Sequence, residues 1–125
     1  MEKNGFKDLS PSLRPVVNAA VEAMKAGKCL EVVYHGECRL VEVHAVGLST
    51  SGNPCVRVYQ VIGGSVFSAT KGWKMLSLKD VESFQVLNVP SQGPRPGYNP
   101  GDKGMSDILA EISDEPVPAK ANDPY

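Results

Sequence analysis

Apolar and polar positions alternate along most of the first ninety residues, and the clearest block is Arg39 to Gln60. Two runs rich in Val, Leu and Tyr, residues 39–48 and 55–61, flank Ser49-Thr50-Ser51-Gly52-Asn53-Pro54. Those six residues all favour turns and forbid continued regular structure, so the block reads as a β-hairpin with a polar tip. Period 2 along the second run places Cys55, Arg57, Tyr59 and Val61 on one face and Val56, Val58 and Gln60 on the other. On the first run Arg39, Val41, Val43 and Ala45 alternate with Leu40, Glu42, His44 and Val46. Both faces therefore carry apolar residues, as in a strand that bends around a small barrel.

The same pattern extends to either side. Cys29 to His35 is a strand with Leu30, Val32 and Tyr34 on one face, and His35-Gly36-Glu37 is a tight turn into the next strand. After Gly63-Gly64-Ser65, a turn without Walker spacing, Trp73, Met75 and Ser77 face one way and Lys74, Leu76 and Leu78 the other. Val81 to Val89 is the last strand. Before all of these, Val17, Ala20, Val21 and Met24 recur at helical spacing between Pro15, a natural first helical residue, and Gly27, a natural stop. Five antiparallel strands over residues 29–89 with one helix over 14–26 packed across them are expected.

Composition adds a boundary at Pro90. Beyond it Pro90, Pro94, Pro96, Pro100, Pro116, Pro118 and Pro124 interleave with Gly93, Gly97, Gly101 and Gly104. Proline at that density cannot sustain a strand ladder, so residues 90–125 read as an extended tail, with a short helix over 105–112 and disorder over 113–125. Residues 1–11 read as a flexible N-terminus and 12–89 as the folded domain. The formal net charge is −1, but residues before Pro90 carry ten Lys or Arg against eight Asp or Glu, and the rest three against six. A global basic signature for nucleic acid is absent, and the acidic tail either shields the domain or docks on a partner.

Three cysteines, Cys29, Cys38 and Cys55, without a CxxC and without an apolar leader or membrane-length run, fit a reducing cytoplasm. Together with His35 and His44 they match no zinc spacing, so neither metal nor cofactor is expected. Glu42 and His44 share a face as a polar pair, but no nucleophile accompanies them, and a binding protein is expected rather than an enzyme.

The blocks Leu30-Glu31-Val32-Val33-Tyr34-x-Gly36, Arg39-x-Val41-Glu42-x-His44-Ala45-x-Gly47, Gly52-Asn53, Val56-Arg57-Val58-Tyr59, Gly72-Trp73-Lys74 and Leu76-x-Leu78-x-Asp80-Val81 resemble the WYL domain, over roughly residues 15–89. Pro54-Cys55-Val56 stands where the tripeptide that names the family would be, and Ser77 and Asp80 stand where a late Arg is typical. The resemblance implies a small Sm-like or SH3-like five-stranded barrel, a ligand-sensing part of bacterial and phage regulators, with a nucleic acid strand or nucleotide as ligand. Only one helix fits before Cys29, so the helix-turn-helix usually joined to such domains is not expected here.

Candidate ligand contacts follow from both lines of reading: Arg39, Arg57, Tyr59, Trp73, Lys74 and His44. Arg57 and Tyr59 put a cation beside an aromatic ring, which suits a planar anion, and Arg39 is expected near them at one end of the hairpin. Trp73 either stacks a base beside Lys74 or anchors the core. Arg57 either meets a ligand anion or pairs internally with Glu42 or Glu31. The alternative to nucleotide or nucleic-acid recognition is a protein-interaction module or homo-oligomeric adaptor.

Overall fold

The computed structural model describes residues 10–63 and 72–112. The expectations for residues 1–9, the Gly64-Ser65 turn and the 113–125 tail lie outside them. Helix α1 (Arg14–Ala26) has proline in its first turn, buries Val16, Val17, Ala20, Ala23 and Met24, and ends at Gly27 with φ 69°. That left-handed residue lets the Gly27 amide bond back to Ala23 and Met24.

Five strands follow, β1 (Lys28–Tyr34), β2 (Glu37–Ser49), β3 (Pro54–Gly63), β4 (Gly72–Ser77) and β5 (Val81–Pro90), and then β6 (Met105–Glu111). All pairs are antiparallel, in the order β4-β3-β2-β1-β5, with β6 on β2 off that path. The β1–β2 turn has His35 at φ 52° and Gly36 at φ 77°. Two left-handed residues match the twist of the flanking strands, as the hairpin signal required.

One face of the sheet packs on α1. Leu30, Val32, Tyr34, Val41, Val43, Val46, Val56, Val58, Leu76 and Leu78 form its core with the helix stripe. The other face carries a smaller cluster of Ala45, Cys55 and Met105, with Met75, Tyr98 and Ile108 against it. The two outermost strands, β4 and β5, are joined by only the 3-10 turn Leu78–Asp80. In a flat sheet they would lie about 19 Å apart at ~4.8 Å per strand, beyond the reach of three residues rising ~2 Å each. The sheet is therefore strongly curled, although no β4–β5 pairing closes it. The Tyr34 hydroxyl accepts the Ser77 amide at 3.1 Å, tying the end of β1 to the end of β4.

Two expectations for the tail are corrected. Met105–Glu111 is a strand, not a helix, and pairs Ala45↔Glu111, Val46↔Ala110, Gly47↔Ile108, Leu48↔Asp107 and Ser49↔Met105. β1 pairs with β2 only as far as Val41, which leaves the later half of that edge open. An isolated helix of eight residues is marginal in water, so an open edge with a row of unpaired backbone groups wins. Residues 91–104 are likewise no free linker: they form a strap across the face opposite the helix.

Candidate functional site

The site is built on three neighbouring strands. The register aligns Glu42, Tyr59 and Trp73 in one cross-strand row and Ala45, Arg57 and Met75 in the next, with a shift between Val43 and Ala45. That β-bulge leaves His44 without a pairing partner on β3 and restores the alternation beyond it, so Ala45 falls on the strap side with Glu42.

The strap docks on this surface through buried polar groups. Glu42 is 1% exposed, and its carboxylate accepts Arg95 Nε at 2.6 Å, Arg95 Nη2 at 3.2 Å and the Gln92 amide at 2.7 Å. His44 is fully buried. Its Nε2 accepts the Arg95 amide at 3.0 Å, which fixes the other nitrogen, Nδ1, as the donor to the Glu42 carbonyl at 2.9 Å. The Arg95 guanidinium then lies over the Tyr59 ring, 4.5 Å from its centroid. Trp73 meets His44 and Tyr59 edge-on at 4.7 and 5.4 Å, and Tyr98 at 5.9 Å.

A second fork lies beyond the aromatic cluster. Arg57 donates from Nε and Nη2 to the two oxygens of Asp102 at 2.6 and 3.2 Å, and Asp102 also accepts the Gly104 amide at 2.8 Å. The Arg57 guanidinium, with help from that amide, holds the Asp102 carboxyl below its usual range. Farther along the strap the Tyr98 hydroxyl donates to Glu111 at 2.5 Å, as does the Gly101 amide at 2.6 Å. Between strap and sheet opens a cleft of about 720 Å³, lined by Arg57, Trp73, Tyr98, Asn99, Asp102 and Lys103 among others.

The structure thus brings Arg57, Tyr59 and Trp73 to one face but separates the other expected contacts. Arg39 lies on the opposite face, in register with Val32 and next to Val41 on the core side. There it donates to Gln60 and Glu37, each at 3.2 Å, and stacks over Tyr34. Lys74 pairs with Val58 and shares the helix-covered side. His44 holds the strap instead of facing solvent. Arg57 pairs with neither Glu42 nor Glu31 but with Asp102, 45 residues away. Sequence reasoning missed Arg95, Tyr98, Asp102 and Lys103, because a Pro/Gly-rich segment carries no periodicity. One signal was present: a carboxylate on an otherwise apolar strand, Glu42, requires a cation from somewhere if it is buried.

The two buried thiols, Cys29 and Cys55, offer little reactivity. Burial pushes Cys55 up to about 11 and raises Cys29 as well, so neither is a thiolate at neutral pH. Among the described residues no group of three or more His, Cys, Asp or Glu is placed to hold a metal, and no helix is long and apolar enough to cross a membrane. No protein-family model, curated protein or solved structure matches the chain.

Acid should weaken this fold in a defined window. Burial lowers the His44 pKa from its usual 6.5, so the unfolded chain takes the proton before the folded one. The neutral ring's contribution is complete above about pH 6.5 and is lost as pH falls through the lower folded value. Asp102, also lowered, adds a second loss at more acidic pH, below its usual 3.8. Urea denaturation of His35→Asn, which removes the only other histidine and tolerates its left-handed backbone, should show stability falling from pH 7 to 5, by at most about 1.4 kcal/mol per pH unit. A flat profile would show that His44 is not held neutral.

Proposed function

We propose that this protein is a ligand-binding regulatory module, a curled Sm-like barrel of WYL type, whose cleft recognises a nucleotide or a short single strand of nucleic acid. The observation that carries the reading is the convergence of Trp73, Tyr98, Arg57 and Lys103 on one cleft of about 720 Å³, within the size range of small-ligand sites. An aromatic wall offers a stacking surface for a base, and a guanidinium beside a lysine offers charge-assisted hydrogen bonds to phosphate. The strand order, the helix before β1 and the 3-10 link between the outer strands support the barrel reading. Binding without catalysis is favoured because Glu42 and Asp102 are each engaged by an arginine fork and the Cys29 and Cys55 thiols are buried.

The only tryptophan, Trp73, lines the cleft and serves as the reporter. Titration with adenosine monophosphate and with a short oligothymidylate, at low and moderate salt, should change its fluorescence. The affinity should weaken as salt rises, more steeply for the strand. Arg57→Ala should reduce the affinity of the folded protein about tenfold or more. No response to either probe would remove the nucleotide reading. The adaptor reading would then gain, since the outer strand β5 exposes Phe84 and Val89.

A further inference from the structure

We infer that Asp102 occupies the seat on Arg57 that a ligand's oxyanion takes, so that the Arg57–Asp102 contact made by the 99–104 loop and ligand binding exclude one another. The inference rests on the reading of the cleft as an anion site and adds its regulation. Both Asp102 oxygens lie on Nε and Nη2 of Arg57, the same two-point contact that a guanidinium makes with phosphate. Among the described residues the Arg57 fork makes its hydrogen bonds with Asp102.

The carboxylate is delivered by a loop, not by the sheet. Between Tyr98 and Met105 the chain reads Asn99-Pro100-Gly101-Asp102-Lys103-Gly104, with no large apolar side chain to bury. Its two ends are fixed independently: Tyr98 packs on Trp73 and His44 and bonds Glu111, while Met105 is buried on β2 at the start of β6. Among the described residues, the Gly101 contact to Glu111 and the Arg57–Asp102 fork are the loop's side-chain ties to the body, and the Met105 amide donates to the Asp102 carbonyl at 3.1 Å. The loop can therefore lift without unpairing a strand, once another anion satisfies Arg57. Lys103, exposed next to Asp102, lies on the same loop.

Such a latch lowers the apparent affinity by the fraction of molecules in which the loop is open. Removing its charge raises affinity, the reverse of what loss of a binding-site residue does. The test compares the parent protein, Asp102→Asn and Arg57→Ala in titrations with adenosine monophosphate and with pyrophosphate. A second measurement uses the unmodified protein: trypsin cleavage after Lys103, with the fragment identified by mass, with and without the same probes. The next basic site upstream, Arg95, is followed by proline and resists the protease.

The latch predicts that Asp102→Asn binds about tenfold more tightly and that the probes accelerate cleavage after Lys103. Equal or weaker binding by a folded Asp102→Asn overturns the latch while leaving the cleft as a binding site. Slower cleavage in the presence of a bound probe overturns it too, and that outcome is readable even if the variant does not fold. Absence of binding by both the parent and a folded Asp102→Asn removes the anion site itself and the inference with it.

Discussion

Arg95→Ala is expected to lower the stability of the fold by about 3 kcal/mol or more, the effect of leaving a buried charge without its partner. Glu42 is 1% exposed and sits in the middle of β2. Without the guanidinium its carboxylate keeps, among the described residues, only the Gln92 amide, too little to replace water around an ion. The strap also loses the stack of Arg95 over Tyr59. Urea denaturation measures the difference, and the melting midpoint should drop by roughly 10–20 °C in a domain of this size. Adding Glu42→Gln to Arg95→Ala should recover much of the loss, because a neutral amide is cheaper to bury and still accepts from Gln92. If Arg95→Ala stays within about 1 kcal/mol of the parent, the Glu42 carboxylate is not committed to the strap and residues 91–98 are held by something else.

Where local signals were strong, the sequence already contained the fold. Pro15 and Gly27 bracket α1 because one lacks an amide that a first turn does not use and the other accepts a left-handed backbone. The strands β1 to β5 emerge from period 2 and from turns such as His35-Gly36. The chemistry was harder to read, since parity along a strand holds only between bulges. β2 shifts register between Leu40 and Val41 and again between Val43 and Ala45, and no pattern in the residues announces either shift. Arg39 and Arg57, grouped by proximity at one end of the hairpin, are placed on opposite faces. The rest of the site comes from a segment without any period. Asp102 and Arg95 act through side chains that find partners 45 and 53 residues away, and the glycines and prolines around them let the chain follow the surface rather than a ladder.

Gly47→Ala should peel β6 from β2. The added Cβ would collide with the Asp107 carbonyl oxygen and stand 2.9 Å from Met105 Sδ and 3.1 Å from Ile108 Cα. Two of those three atoms are backbone of the paired strand, so no rotamer change relieves the contact. β2 cannot retreat, because its other edge is paired along its length with β3. The strand that yields is β6, and with it goes the burial of Met105 and the bond from the Ile112 amide to the His44 carbonyl at 2.8 Å. Glu111 leaves as well, releasing Tyr98 and Gly101, so the cleft loses its outer wall. We expect a stability loss of about 3 kcal/mol, at the upper end for overpacking, and fast amide exchange over residues 105–112 while β1 to β4 stay protected. Leu109→Ala, at a position 38% exposed on the same strand, should change stability by less than about 1 kcal/mol and leave that exchange slow. Unchanged stability and protection in Gly47→Ala would mean that β6 does not lie against Gly47, and Met105–Ile112 would return to the short helix its sequence allows.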